Sequence, residues 1–172
     1  MKRQFDMHRV LCAFLILCTL FATLALSACT EAAPPEDDVD YAFVSGTTTI
    51  RIDDDAAAVL SALGAWSQYG ESPSCLFDGP DKIYGYGGFR IQTYPKDGGE
   101  FVYSVELLDD SVTTPEGITI GSSRDDVLEQ YGTDMRETSA AIIYTDKGDG
   151  VELMLSIRNG VVTNIQYKKI VA

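Results

Sequence analysis

Residues 118–132, ITIGSSRDDVLEQYG, align without a gap on residues 50–64, IRIDDDAAAVLSALG, and the rest of the chain is best read outward from this correspondence. At an offset of 68 residues Ile50 meets Ile118, Ile52 meets Ile120, Val59 meets Val127, Leu60 meets Leu128 and Gly64 meets Gly132. Self-similarity of this kind marks a repeated structural unit. In each copy two apolar residues at alternate positions read as a short extended segment. Acidic or Ser residues then supply an N-cap and suit the positive end of a helix dipole, adjacent apolar residues form one helix face, and Gly ends the helix. Capping therefore explains Asp53, Asp54 and Asp55 better than a metal site does.

Three strands are expected after each helix. In the second copy they are Ala141 to Thr145, Val151 to Ile157 and Val161 to Lys168. A three-residue loop of Arg158, Asn159 and Gly160, with Gly160 at positive φ, pairs Ile157 with Val161. That register puts Val151, Leu153, Leu155, Ile157, Val161, Thr163, Ile165 and Tyr167 on one face and Glu152, Met154, Ser156, Val162, Asn164, Gln166 and Lys168 on the other. In the first copy the strands are Ile83 to Tyr86, Phe89 to Tyr94 and Phe101 to Leu108, with Pro95 to Gly99 as the turn. Pairing Thr93 with Phe101 sends Phe89, Ile91, Phe101, Tyr103, Val105 and Leu107 inward, and Arg90, Gln92, Tyr94, Val102, Ser104 and Glu106 outward. The predicted fold class is α+β: a tandem repeat of helix plus three-stranded antiparallel sheet, the helices packed on one face of a continuous sheet. The copies span about 48–110 and 116–170. They differ between helix and first strand, where residues 65–81 of the first copy stand against 133–140 of the second. That insertion carries Trp66, Tyr69, Cys75 and Phe77, and reads either as a binding loop or as an aromatic cap on the core edge.

The N-terminus reads as an address. Lys2, Arg3 and Arg9 precede the apolar run from Val10 to Leu26, the pattern of an export signal. Leu26-Ser27-Ala28-Cys29 resembles the lipobox of bacterial lipoproteins, which implies a diacylglyceryl group on Cys29 and removal of residues 1–28. Two acyl chains hold a domain stably on a bilayer. Residues 29–40, with Pro34, Pro35 and a run of acids, read as a tether to a single domain over 41–172. The expected location is the extracytoplasmic face of the cell membrane.

Charge and composition exclude several functions. The 172 residues carry 26 Asp and Glu against 13 Lys and Arg, a formal −13 that leaves no basic patch for nucleic acid. Loss of residues 1–28 takes Lys2, Arg3, Arg9 and Asp6, leaving 10 bases and 25 acids, and it takes His8, the one histidine. A mature chain without histidine runs no Ser-His-Asp or Cys-His mechanism and builds no His-containing zinc site. Cys12 and Cys18 leave with the signal and Cys29 carries lipid. Cys75 is then alone, so no intramolecular disulfide forms; it reads as a small buried or half-buried residue. The adjacent pairs Asp109-Asp110 and Asp125-Asp126 point apart, unlike acid-base partners across a cleft. Gly85 to Gly88 lacks the Lys of a phosphate loop, and Asp146 to Gly150 is followed by Glu152 where a calcium loop needs a later bidentate Glu. No enzyme activity, cofactor or metal is expected.

With these residues in place, the stretch Gly117 to Gly132 is similar to the repeats of the β-lactamase inhibitor protein-like fold and of the small outer-membrane lipoproteins of the SmpA/OmlA type. Residues Ser74 to Tyr84 resemble a segment of function-unassigned lipoproteins of Gram-positive bacteria. The resemblance implies a protein-binding sheet surface; the two disulfide pairs typical of the lactamase inhibitors have no counterpart here. The expected function is a noncatalytic module that holds an envelope protein or peptide on the outward sheet face through Arg90, Gln92, Tyr94, Val102, Met154, Asn164 and Gln166, with Trp66, Tyr84 and Tyr86 completing the candidate set. The alternative is a receptor for a small ligand or calcium. The chain is expected to be a monomer.

Overall fold

The computed structural model describes residues 40–171 other than 147. The predicted signal, the lipid site Cys29 and all of the predicted tether but Asp40 lie outside the described residues. Strands β1 (Phe43–Ser45) and β2 (Thr48–Ile50) form a hairpin, followed by helix α1 (Ala56–Leu63). Strands β3 (Gln68–Pro73), β4 (Pro80–Gly85), β5 (Phe89–Lys96) and β6 (Gly99–Leu107) lead to helix α2 (Arg124–Tyr131), and β7 (Arg136–Glu137), β8 (Ala141–Asp146), β9 (Val151–Arg158) and β10 (Val161–Lys169) complete the chain. The last eight strands form one antiparallel sheet in the order β3-β4-β5-β6-β10-β9-β8-β7.

This corrects the expected α+β arrangement of two three-stranded units. Among the described residues an eight-stranded sheet dominates, and the two helices are eight residues each. Helix α1 buries only Ala56 and Val59, and α2 only Val127. The core is instead supplied by the sheet: Phe89, Ile91, Val105, Leu107, Leu153, Leu155, Ile165 and Tyr167 are at most 3% exposed, and Phe43 and Ile50 of the hairpin join them. The two added strands carry no signal that alternation detects. Gln68–Pro73 is exposed except for a partly covered Gly70, and both residues of β7 are exposed. Backbone pairing with β4 and β8 makes them strands, not burial of a face.

Both helix lead-ins are built alike. Asp53 N–H donates to Val102 O at 2.9 Å and Val102 N–H to Asp54 O at 3.0 Å; Gly121 N–H donates to Val162 O at 2.8 Å and Val162 N–H to Ser122 O at 2.9 Å. The next residue caps the helix. The Asp55 side chain accepts the Ala58 N–H at 2.9 Å, and Ser123 and Asp126 form a reciprocal capping box. Gly64 (φ 81) and Gly132 (φ 78) end the two helices in a conformation that favours glycine.

The hairpin registers differ from the expected ones in the same way. Asp97 and Gly98 have φ of 51 and 78, and Asn159 and Gly160 of 53 and 79, so each turn has two left-handed central residues. Such turns match the right-handed twist of the flanking strands. Lys96 therefore pairs with Gly99, and Arg158, not Ile157, with Val161. A β-bulge then restores the phase: Thr93 pairs with Val102 but Gln92 with Ser104, and Ile157 pairs with Val162 but Ser156 with Asn164. Tyr103 and Thr163 are the extra residues. Consequently Val102 (0% exposed) and Val162 (1%) enter the core in place of Phe101, Tyr103, Val161 and Thr163, and Val161 is 39% exposed. Each bulge lies where its strand exchanges a helix lead-in for a sheet neighbour along one edge.

Candidate functional site

The sheet face opposite the core is the broadest continuous surface on which predicted site residues meet. Directly paired positions define a row across six strands: Arg90, Glu106, Gln166, Met154, Ile143 and Arg136. Gln92, Ser104, Lys168, Glu152 and Thr145 make the next row. Strand alternation sends these side chains away from the core because their immediate neighbours, among them Ile91, Val105, Leu107, Leu153, Leu155 and Tyr167, point into it.

Ion pairs hold the face in shape. Arg90 Nε donates to Glu106 Oε2 at 2.6 Å, and Asn164 Nδ2 donates to Glu106 Oε1 at 2.7 Å. Glu152 lies between Arg136, at 3.3 Å, and Lys168, at 3.4 Å. The two rows thus carry three bases and two acids, on a chain whose formal charge is −13. Met154, half-buried, and Ile143, 6% exposed, form an apolar stretch beside the charged groups. Of the candidate binding residues, Arg90, Gln92, Met154, Asn164 and Gln166 share this face.

The others do not contribute to it, Val102 because it is buried in the core. Tyr94 lies on the outward side by alternation but is 2% exposed, because Phe77 of the insertion packs on its ring at a centroid distance of 4.4 Å. Its hydroxyl donates to Asp53 Oδ1 at 2.5 Å, and Asp53 also accepts from Lys169 Nζ. Burial works to raise the Asp53 carboxyl, but the bonds from Lys169 and Tyr94 outweigh it and hold the group below the usual range. Tyr84 pairs with Ile91 and therefore faces the core side, where it is 6% exposed. Trp66 sits edge-on to Tyr84 with ring centroids 5.1 Å apart, and Tyr69 packs tilted against the same Tyr84 ring at 5.4 Å on the core side of the β3–β4 edge. Tyr86 stacks on Phe89 at 5.1 Å and packs against the core, its hydroxyl buried without a hydrogen-bond partner. The insertion is thus two aromatic clusters, one over Tyr94 and one beside Tyr84. Cys75, expected to be at least half-buried, is exposed on it.

The sequence reading put Glu106, Glu152 and Lys168 outward without assigning them to the site. It placed Arg136 in a connection, and only the pairing of β7 with β8 brings that residue to the face. Three of the carboxylates considered for chemistry are occupied locally. Asp109 accepts from the backbone and hydroxyl of Ser111, Asp126 from the backbone of Ser123, and Asp146 from the backbone of Gly148. Among the described residues no three of His, Cys, Asp and Glu converge as metal ligands, and no helix is long and apolar enough to cross a membrane.

No family model and no curated protein matches the chain. Among solved structures, an extracellular protein containing an SCP domain from Bacillus anthracis is similar at 11% identity and a TM-score of 0.48, over 74% of this chain and 50% of that one. This chain therefore spans half the length of that protein, and a likeness of this degree carries no argument about fold or activity.

Proposed function

We propose that this chain is a lipoprotein anchored through Cys29 on the extracytoplasmic side of the cell membrane, and that its domain is a noncatalytic module binding an envelope protein or peptide on the outward sheet face. The observation that supports it is the row from Arg90 to Arg136, where fixed charges border a half-buried Met154 on a surface that both helices leave open. Apolar area with a polar, pre-ordered border is the usual anatomy of a protein contact. Main-chain groups in the middle of a sheet are spent on their neighbours, so recognition falls to side chains.

A photoreactive residue at Gln166, at the centre of the row, tests the reading in cells. Capture of one specific protein or peptide, lost on Arg90→Glu and on Met154→Asp, is the expected result. The reading fails if nothing specific is captured while the chain remains on the membrane, or if capture persists in both variants. Metabolic labelling with palmitate, abolished by Cys29→Ala, tests the anchor separately.

A further inference from the structure

We infer that the free edge of β3 takes an extended, positively charged peptide segment as a ninth strand of the sheet. The two edges of this sheet are unlike. The β7 edge is only two residues long and carries Arg136, the short and charged form by which sheets avoid further pairing. The β3 edge is six residues long and has no base on it, and its one proline, Pro73, stands at its end.

The backbone geometry shows what this edge offers. Ser74 N–H donates to Gly79 O at 3.1 Å, and on the far side of β4 Tyr86 N–H donates to Phe89 O at 2.9 Å. Bonded positions alternate along an antiparallel ladder, so Gln68, Gly70 and Ser72 turn their backbone groups to β4, whereas Tyr69 and Glu71 turn theirs to solvent. Among the described residues nothing pairs with these groups, so an incoming strand meets two donors and two acceptors in register. Beside them stand exposed aromatic side chains, Trp66 at 46% and Tyr69 at 52%, which offer apolar contact to alternate residues of such a strand.

Charge selects the occupant. Between residues 68 and 85 the acids are Glu71, Asp78 and Asp81 and the one base is Lys82, which Glu100 already holds at 2.5 Å. Among the described residues no base pairs with Glu71, Asp78 or Asp81, and Asp81 Oδ1 is buried with no hydrogen-bond partner. A strand bearing Lys or Arg complements this edge. A second copy of the chain would instead oppose one Glu71-bearing edge to another. The inference does not depend on the outward face, which lies across the sheet from Trp66 and Tyr69.

The test uses the full chain in a neutral detergent and a short synthetic peptide of alternating lysine and valine, with a glutamate-valine peptide as its counterpart. Trp66, the single tryptophan, reports binding by fluorescence, and amide hydrogen exchange locates it. The lysine peptide is expected to give a saturable fluorescence change and to protect the Tyr69 and Glu71 amides, which have no partner among the described residues. Glu71→Pro removes one outward donor without touching the β3–β4 ladder, and Glu71→Lys reverses the charge. Each is expected to weaken binding about tenfold, and retained far-UV dichroism shows that each still folds. The inference is overturned if the glutamate peptide binds as well, if both Glu71 variants bind like the parent, or if protection appears elsewhere. It is equally overturned if the two amides are protected without peptide in proportion to chain concentration, which would assign the edge to a second copy.

Discussion

Glu100 is the residue whose replacement tests the packing most directly. Its carboxylate accepts from Lys82 Nζ at 2.5 Å, Thr93 Oγ1 at 2.5 Å and Tyr84 OH at 3.0 Å. Thr93 is 0% exposed and Tyr84 6%, so neither hydroxyl has water to turn to, whereas Lys82, with its side chain 28% exposed, does. Glu100→Ala therefore orphans two buried hydroxyls. At about 1–2 kcal/mol each, that is a loss of about 3 kcal/mol, with Lys82 adding little. Glu100→Gln keeps an acceptor for the hydroxyls and loses the charge, a loss of about 1–2 kcal/mol. Burial works to raise the Glu100 carboxyl, but the bonds from Lys82, Thr93 and Tyr84 prevail and hold it below its ordinary value of 4.5. Its charged form is thus favoured by folding. The stability it contributes is fully present above pH 4.5 and is lost as pH falls below that through the lowered value. Urea denaturation followed by dichroism, at neutral pH and in steps below 4.5, measures both effects. The gap between the parent and Glu100→Gln is expected to narrow as pH falls. The reasoning is refuted if Glu100→Ala stays within about 0.5 kcal/mol of the parent at neutral pH, or if the gap keeps its width in acid.

Three further outcomes are expected. Gly160→Ala places a Cβ at a φ of 79 with nothing within 4 Å, so its cost of about 1 kcal/mol is purely conformational; a urea midpoint equal to the parent's would contradict the two-residue turn. Tyr94→Phe leaves the ring under Phe77 and removes the hydroxyl from Asp53, costing about 1 kcal/mol by the same measurement; an unchanged midpoint would mean that Asp53 is satisfied by Lys169 alone. Leu155→Ala, at 0% exposure in the middle of the core, is expected to cost about 2–5 kcal/mol, and a thermal midpoint near the parent's would place the core elsewhere.

Local chemistry was legible in the sequence where it is self-contained. The caps Asp55 and Ser123 and the helix stops Gly64 and Gly132 act within a few residues of themselves, so pattern alone located the capping segments and the glycine stops. The inward positions Val105, Leu107, Ile165 and Tyr167 were also legible, although the register leading to them was not. Each expected hairpin was out of phase at its turn, and each was brought back by a bulge, at Tyr103 and at Thr163. Successive one-residue offsets in the same direction keep the alternation while moving the register, and are invisible to a rule that counts alternation from one end. Strand β3 and Tyr94 escaped for a different reason. QYGESP becomes a strand only because β4 lies beside it, and Tyr94 is covered only because Phe77, distant in sequence, folds over it. Neither partner can be inferred from the residues themselves. For the candidate site, alternation places Arg90, Gln92, Met154, Asn164 and Gln166 on the outward face, whereas pairing with Ile91 turns Tyr84 to the core side, Tyr86 stacks on Phe89 and Trp66 lies beside Tyr84.

The sheet order also dictates a sequence of events in biosynthesis. Strand β10 is the last of the described strands, yet it lies in the middle of the sheet, between β6 and β9. Its contact with β6 joins residues at least 58 positions apart, as between Glu106 and Asn164. A chain emerging N-terminus first, from a ribosome or through an export channel, therefore completes β3 to β6 long before their neighbour exists. Until β10 arrives, Ser104–Leu107 presents an open hydrogen-bonding margin, and Val105 and Leu107 lack the apolar cover that Ile165 and Tyr167 later provide. Pairings this distant in sequence are slow to form, because the intervening loop must close first. The half-made protein is then the form most exposed to aggregation, and the one with most need of a chaperone.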